Sequence, residues 1–236
     1  MPNVGGPRAS KRLLSCVVHS QMLYDAPIWY TVTEKKKLVS KLASVQRKIA
    51  LRVCSAYRTI STEAAGVISG IPPIELQLLE RREKYLGIDG ETARANLITR
   101  RQDKWNLGTY GRWTHCLIPD IQTWADRVYG KTDYYLTQAL SGHGCFRKYL
   151  FERRRVETDA CKYCGEQDNA KHTLFVCSYW EEFRHDYHNE AGRPFNALNM
   201  MTDLINGREE DWKLAYKAWA ARKTNEEVFV FPLTDQ

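Results

Sequence analysis

No stretch of this sequence approaches the roughly 18 consecutive apolar residues a membrane-spanning helix needs. The opening, MPNVGGPRASKRLL, has too short an apolar run for a secretory signal, and no small-residue cleavage site follows it. No internal repeat and no low-complexity linker is visible, which argues against a solenoid or a tethered array. Nowhere do two aspartates stand side by side. Acidic residues are scarce in the first quarter: residues 1–60 hold 2 Asp/Glu against 11 Lys/Arg, whereas residues 61–236 hold 26 against 24. The formal charge of +7 therefore comes wholly from the N-terminal segment, which favours polyanionic partners, nucleic acid first among them. An even cysteine framework is also missing. The seven cysteines are Cys16, Cys54, Cys116, Cys145, Cys161, Cys164 and Cys177, an odd number that fits reduced thiols inside a cell.

What is present reads as a helical protein with enough apolar residues, 43%, to bury a core. Residues 9–30 are rich in Leu and Val. In 35–57, Leu38, Leu42, Val45, Ile49 and Val53 recur at helical spacing, and Lys37, Lys41, Lys48 and Arg52 fall on one flank of that face. Such a basic edge suits a phosphate backbone or forms the solvated border of an amphipathic helix. Thr62 is expected to cap a short helix ended by Gly70-Ile71-Pro72-Pro73. A longer helix opens at Ile74, with Gly87 and Gly90 dividing it. Further helices are expected over 118–129, over two short pieces of 133–153 meeting at Gly142-His143-Gly144, over 179–190 and over 209–223. In the last, Trp212, Tyr216 and Trp219 form an aromatic core stripe. The best domain boundary lies between about 105 and 115.

The segment CKYCGEQDNAKHTLFVC carries chemistry. Its C-x2-C-x7-H-x4-C spacing supplies four soft or borderline donors, Cys161, Cys164, His172 and Cys177, which is a complete tetrahedral set for one zinc ion. With no position left for water, the metal is structural. Gly165 permits the positive φ of the turn that presents the first two sulfurs. Five positions are about 1.4 turns of an α-helix, so a regular helix would separate His172 from Cys177, and a distorted turn between them is expected. Candidates for catalysis are weaker. His143 beside Cys145 lacks an orienting Asn or Asp. Asp120, Asp126 and Asp133 are loosely spaced acids, read as surface groups in preference to a metal-binding set.

Three blocks resemble insect non-LTR retrotransposon proteins of the type-1 group that inserts into ribosomal RNA genes. MPNVGGPRASKRLLSCVVHSQMLYDAPIWY is similar to their thumb ending, and IALRVCSAYRTISTEAAGVISGIPPIELQLLERREKY to the region after the polymerase core. RWTHCLIPDIQTWADRVYGKTDYYLTQALSGHGCFRKYL, followed by the cysteine segment, looks like their C-terminal part. The resemblance implies a mainly α fold: thumb-like basic helices in 1–60, a helical linker in 61–110, and a helical C-terminal domain in 111–236 with its zinc knuckle at 161–177. It implies a degenerate or partial copy, or a cut fragment, that begins within the thumb, without the paired-aspartate motif of the polymerase core and so without polymerase activity of its own. The implied role is zinc-dependent binding of RNA or DNA, inside a cell and in its nucleus, alongside the remainder of an intact retroelement polymerase and not at a membrane. Around the knuckle, Arg153, Arg154, Arg155, Lys162 and Lys171 are the implied phosphate contacts, and Tyr163 the residue to stack on a base. The alternative is a zinc-stabilised interaction scaffold, or a decayed insertion with no role.

Overall fold

Helical periodicity runs almost unbroken through the sequence. The computed structural model describes residues 8–31, 35–127, 132–206 and 209–226, and these are mainly helical. Among the described residues there is no β-strand; Ala160 and Gln167 form an isolated antiparallel bridge. The contacts divide the chain into two compact units, residues 1–126 with 131–143, and residues 127–130 with 144–236.

The first unit contains α1 (Arg8–Met22), α2 (Ala26–Trp29), α3 (Lys36–Val53), α4 (Thr62–Ser69), α5 (Ile74–Tyr85), α6 (Gly90–Leu107), α7 (Arg112–Leu117), α8 (Ile121–Asp126) and α9 (Tyr134–Ser141). Helix α3 packs on α1, α4 and α5, α5 packs on α6, and α9 meets α4 and α7. Which face of α3 is buried differs from the aliphatic stripe read in the sequence. Gln46, Ala50 and Val53 are buried, whereas Leu38 and Val45 are 38% and 42% exposed. The cause is backbone hydrogen bonding between α4 and α5. Pro72 and Pro73 interrupt the helix there, and Gln46 fills the gap: its Oε1 accepts from the Ile74 amide at 2.8 Å and its Nε2 donates to the Pro72 carbonyl at 2.9 Å. The same Nε2 lies 3.0 Å from Nε2 of buried His19, whose Nδ1 is 2.7 Å from the Ser15 carbonyl. A buried amide left unpaired costs about 1–3 kcal/mol. Fully burying a valine yields about 1.5–3 kcal/mol, and Val45 is already more than half covered, so the glutamine wins the inward position.

Helix ends follow local chemistry. Ser61, not Thr62, caps α4, its Oγ accepting from the Ala64 amide at 3.1 Å. The long helix expected from Ile74 is two pieces: Gly87 takes φ +91 and the Asp89 carboxylate then caps α6. The helix expected over 118–129 shortens to α8, because Pro119 delays its start; the expectation for 128–129 lies outside the described residues. Asp120 and Asp133 accept from the amides of Thr123 and Leu136, so two of the acids weighed for metal chemistry are helix caps.

The expected boundary at 105–115 does not coincide with the division between the units, which follows His143. Gly108 and Gly111 read as a loop in sequence, and they serve a packed turn. Gly111 has φ +70, and a Cβ there would meet Ala64 at 3.1 Å and Trp105 at 3.2 Å. Across this turn Trp105 donates to the Ile118 carbonyl and Trp113 to the Ala139 carbonyl, each at 2.8 Å. The stretch read as a linker in 61–110 supplies Ile68, Ile74, Leu78 and Leu97 to the core.

The second unit contains α10 (Arg147–Glu152), the cysteine segment, α11 (Glu181–Ala191), α12 (Ala197–Asn206) and α13 (Glu209–Glu226), with α13 packed on α11 and α12. Its core includes Tyr187, Phe195, Met200, Met201, Leu204 and Ala215. The Tyr187 hydroxyl donates to buried Asp203, which also pairs with Arg193. Burial first, then that carboxylate, push the Tyr187 phenol up to about 12. Helix α12 was not anticipated. The Trp212 and Tyr216 rings stack at 5.0 Å, both half-buried, while the Trp219 side chain lies outside the described residues. No described helix is long and apolar enough to cross a membrane.

Candidate metal centre

Backbone geometry brings the four expected ligands together. The Gly165 amide donates to the Cys161 carbonyl at 2.9 Å and the Cys161 amide to the Glu166 carbonyl at 2.6 Å. Gly165 takes φ +82, the left-handed conformation anticipated for it. Residues His172–Val176 then form one π-helical turn, closed by the Cys177 amide donating to the His172 carbonyl at 2.8 Å. This is the distorted turn the spacing calls for. An i→i+5 bond widens the turn, so positions five apart face the same side. Asn169 caps the turn, its Oδ1 accepting from the His172 amide at 2.9 Å.

The donor atoms of Cys161, Cys164, His172 and Cys177 all lie within 4.8 Å of one another and can hold a metal ion. Sγ of Cys177 is 3.8 Å from the sulfurs of both Cys161 and Cys164. A disulfide would need about 2.05 Å, whereas a tetrahedron with metal–sulfur bonds of about 2.3 Å has edges of about 3.8 Å. His172 presents Nε2, 3.2 Å from the Cys164 sulfur. The surroundings also fit a metal bound by thiolates. Burial first, then the Cys161 and Cys164 thiols, push the Cys177 thiol up to about 12 against the opposing Tyr179 amide, so a cation is needed to ionise it near neutrality. Arg184 donates to the Cys177 carbonyl at 2.6 Å, yet its Nη1 is buried without a partner. A cation placed there complements negatively charged sulfur.

The cluster is tied to its unit by residues the sequence reading passed over. Asp168 is buried; its Oδ2 accepts from the Arg147 amide at 2.9 Å and its carbonyl from the Lys148 amide at 2.9 Å, fastening the start of α10 to the ligand loop. Thr173 donates to the other carboxylate oxygen. Cys161 and Cys177 pack on Trp180, with Tyr163 and Phe183 around them. An acid seven residues beyond the first cysteine gives no local signal of this role, because its partners are backbone amides of another element.

The suggested nucleic-acid contacts fall into two sets. Lys37, Lys41, Lys48 and Arg52 are exposed on α3 in the first unit and make no ion pair among the described residues. Arg153, Arg154 and Arg155 are exposed in the turn after α10 in the second, with the Arg153 guanidinium 5.7 Å from the Tyr149 ring centroid. Helix α10 has six residues, so this turn stands about 9 Å along the helix from the end held by Asp168. Arg154 takes φ +54, a conformation usually left to glycine. Lys162 and Lys171 are exposed on the ligand loop. Tyr163 is less available than expected: its ring stacks on Tyr179 at 3.6 Å and 7°, and the Lys162 ammonium is 4.7 Å from its centroid. Tyr179, 49% exposed, is the more open ring of the pair.

No family model matches the chain, and no solved structure matches it. Curated relatives do. The chain is 30% identical over 253 aligned positions to a putative 115 kDa protein in type-1 retrotransposable element R1DM of Drosophila melanogaster, covering 95% of this chain and 24% of that protein. It is 28% identical over 226 positions to a retrovirus-related Pol polyprotein from type-1 element R1 4 of Nasonia vitripennis, covering 86% and 57%. To the corresponding R1 polyprotein of Bradysia coprophila it is 25% identical over 202 positions, covering 76% and 20%. The chain thus spans between about a fifth and just over half the length of these relatives. Over most of its length it is distantly homologous to Pol polyproteins of insect type-1 non-LTR retrotransposons.

Proposed function

We propose that this chain is the C-terminal part of a non-LTR retrotransposon polymerase, and that it binds RNA or DNA in the nucleus through a zinc knuckle without a catalytic step of its own. The observation that carries the reading is the closed set of Cys161, Cys164, His172 and Cys177, with exposed Lys162 and Lys171 on the same loop. Zinc suits three sulfurs and one imidazole nitrogen at these separations, and a filled four-ligand shell makes it structural. When bound, zinc stabilises the loop that carries the two lysines. Arg184 offsets the excess negative charge of three thiolates. Arg153, Arg154 and Arg155, none ion-paired among the described residues, add an exposed phosphate-binding edge, and Tyr179 offers the ring on which a base can stack.

Binding isotherms with single-stranded RNA and DNA, taken from 50 to 300 mM salt, test this. The expected slope is about 0.7 log units of affinity per log unit of salt for each phosphate neutralised. Replacing Arg153, Arg154 and Arg155 with alanine should flatten it by about 2 such units. Salt-independent binding, or an unchanged triple variant, would overturn the nucleic-acid role.

A scaffold reading draws on a different observation. Leu13, Leu14 and Val17 are 68%, 66% and 50% exposed on α1, an apolar surface that a protein partner could cover. Retention of a protein partner by a chain that binds no nucleic acid would favour it.

A further inference from the structure

The first unit has a half-open cavity of about 250 Å³ lined from α3, α4, α5, α6 and α8, unrelated to the knuckle. Its walls are largely apolar, with Ala50, Val67, Ile71, Trp105 and Ile121 among them. Into it faces Arg101, only 7% exposed. Nη2 of Arg101 donates to the Gly66 carbonyl at 3.0 Å and the Ile71 carbonyl at 3.3 Å, where α4 ends. Both of these hydrogen bonds use Nη2; Nε and Nη1 make none among the described residues, are not sealed from solvent, and form no ion pair there. Burial first, and then Arg94, hold its pKa down at about 10.

A buried guanidinium is costly without an anion beside it. Two carbonyl dipoles at a short helix C-terminus offset part of that cost, and they use one of its three nitrogens. The other charged groups at the cavity set the size of the missing charge. Lys104 is paired with Glu75, Arg47 donates to the Arg58 carbonyl and Thr62 hydroxyl, and Glu63 lines the wall without an ion pair. Three cations against two carboxylates leave one positive charge. The volume exceeds the roughly 150 Å³ of a cavity that holds benzene. It is too small and too apolar for a nucleic-acid strand.

We propose that this cavity is a binding site for a small apolar carboxylate, its carboxyl group taken by Arg101 and its hydrocarbon or aryl body lying between Val67, Ile71 and Trp105. A charge-assisted hydrogen bond from Nη1 to one carboxylate oxygen supplies the orientation. The site is separate from the proposed nucleic-acid surface, so either can fail without the other.

Titrating the zinc-loaded chain of residues 1–236 with benzoate, while following the Trp105 indole N–H resonance, tests the assignment. Benzoate should saturate that shift. Benzamide, of the same shape but neutral, should bind at least about tenfold more weakly, and inorganic phosphate should not compete. Acetylphenylalanine, a carboxylate on a peptide body, distinguishes a chain terminus from a free acid as the source. Arg101→Gln should lose benzoate. Because Arg101 also caps α4, Ala43→Leu provides a second test: it fills the cavity from its half-buried rim and should abolish binding with all charges in place. Glu63→Gln should tighten binding. Equal binding of benzamide, competition by phosphate, unchanged binding by Ala43→Leu, or no saturation by about 10 mM benzoate would each overturn the proposal.

Discussion

The two units of this protein reach order by different routes. In the first, helices of different lengths bury Ile68, Ile74, Leu78, Leu97 and Trp124, and a glutamine amide completes the backbone hydrogen bonding where two prolines interrupt it. The second has a helical part built on Tyr187, Phe195 and Met200, and a ligand loop of a different kind. Between Asp159 and Cys177 the loop has an isolated bridge, a left-handed glycine and a π-turn, and it converges on four donor atoms. Apolar burial tolerates the loss of any one contact. A loop that converges on four donor atoms has few such contacts to spare. The comparison teaches where each unit is vulnerable: the first to lost packing and hydrogen bonds, the second, on the proposed reading, to loss of a metal that the four donors can hold.

The largest effect should come from withholding the proposed zinc. Apparent binding free energies of structural zinc in finger peptides are about 10–16 kcal/mol. Chelation, or Cys164→Ser, should therefore unfold residues 159–180 while helical order in α3 to α6 persists. Metal analysis should give one zinc per chain for the wild type and none retained by the variant. If hydrogen exchange shows α3 to α6 loosening to the same extent, the two units do not stabilise themselves separately.

Gln46→Leu probes the other side of the comparison. It should destabilise the first unit by about 1–3 kcal/mol, by leaving the Ile74 amide buried without its partner, while the Pro72 carbonyl keeps the Gln77 side-chain amide at 2.7 Å. Zinc content should stay at one per chain. Denaturant melts of α-helical signal, read beside metal content, check both. A variant as stable as wild type would return α3 to the aliphatic stripe as its defining face.

Arg184→Gln is expected to act more gently and only in the second unit. Loss of a partner that orients ligands costs metal affinity about 10–100-fold, which competition with a chromophoric chelator would measure. Unchanged affinity would make Arg184 a packing residue for the Cys177 carbonyl and nothing more. Smallest is Arg154→Gly, which relieves a left-handed arginine and should stabilise α10 by about 1 kcal/mol. The salt slope of RNA binding should fall by about 0.7 in the same variant. A gain in stability with no change in slope would remove Arg154 from the proposed phosphate-binding edge.

Much of this was legible in the chain itself. The ligand set needed only residue type and spacing, because metal geometry is strict and four donors at those intervals leave little freedom. Helix class, the break at Gly87 and the turns at Gly142 and Gly165 came from local backbone rules. What could not be read were relations between distant positions. Trp105 and Trp113 reach carbonyls 13 and 26 residues away, so two glycines that read as a loop became a packed turn and the units part after His143. Val45 yielded to Gln46 because the unpaired amide it serves lies 28 residues further on. Asp168 and Arg184 took places around the ligands through backbone groups that carry no signature. Tyr163 met Tyr179, and Arg101 came to face a half-open cavity without an ion pair of its own among the described residues. By itself, the sequence determined the elements and the donor set, since these depend on neighbours a few residues apart. Only the tertiary structure decided which polar groups were buried together and which charges were left without an ion pair among the described residues, since burial and hydrogen-bond completion depend on the whole fold.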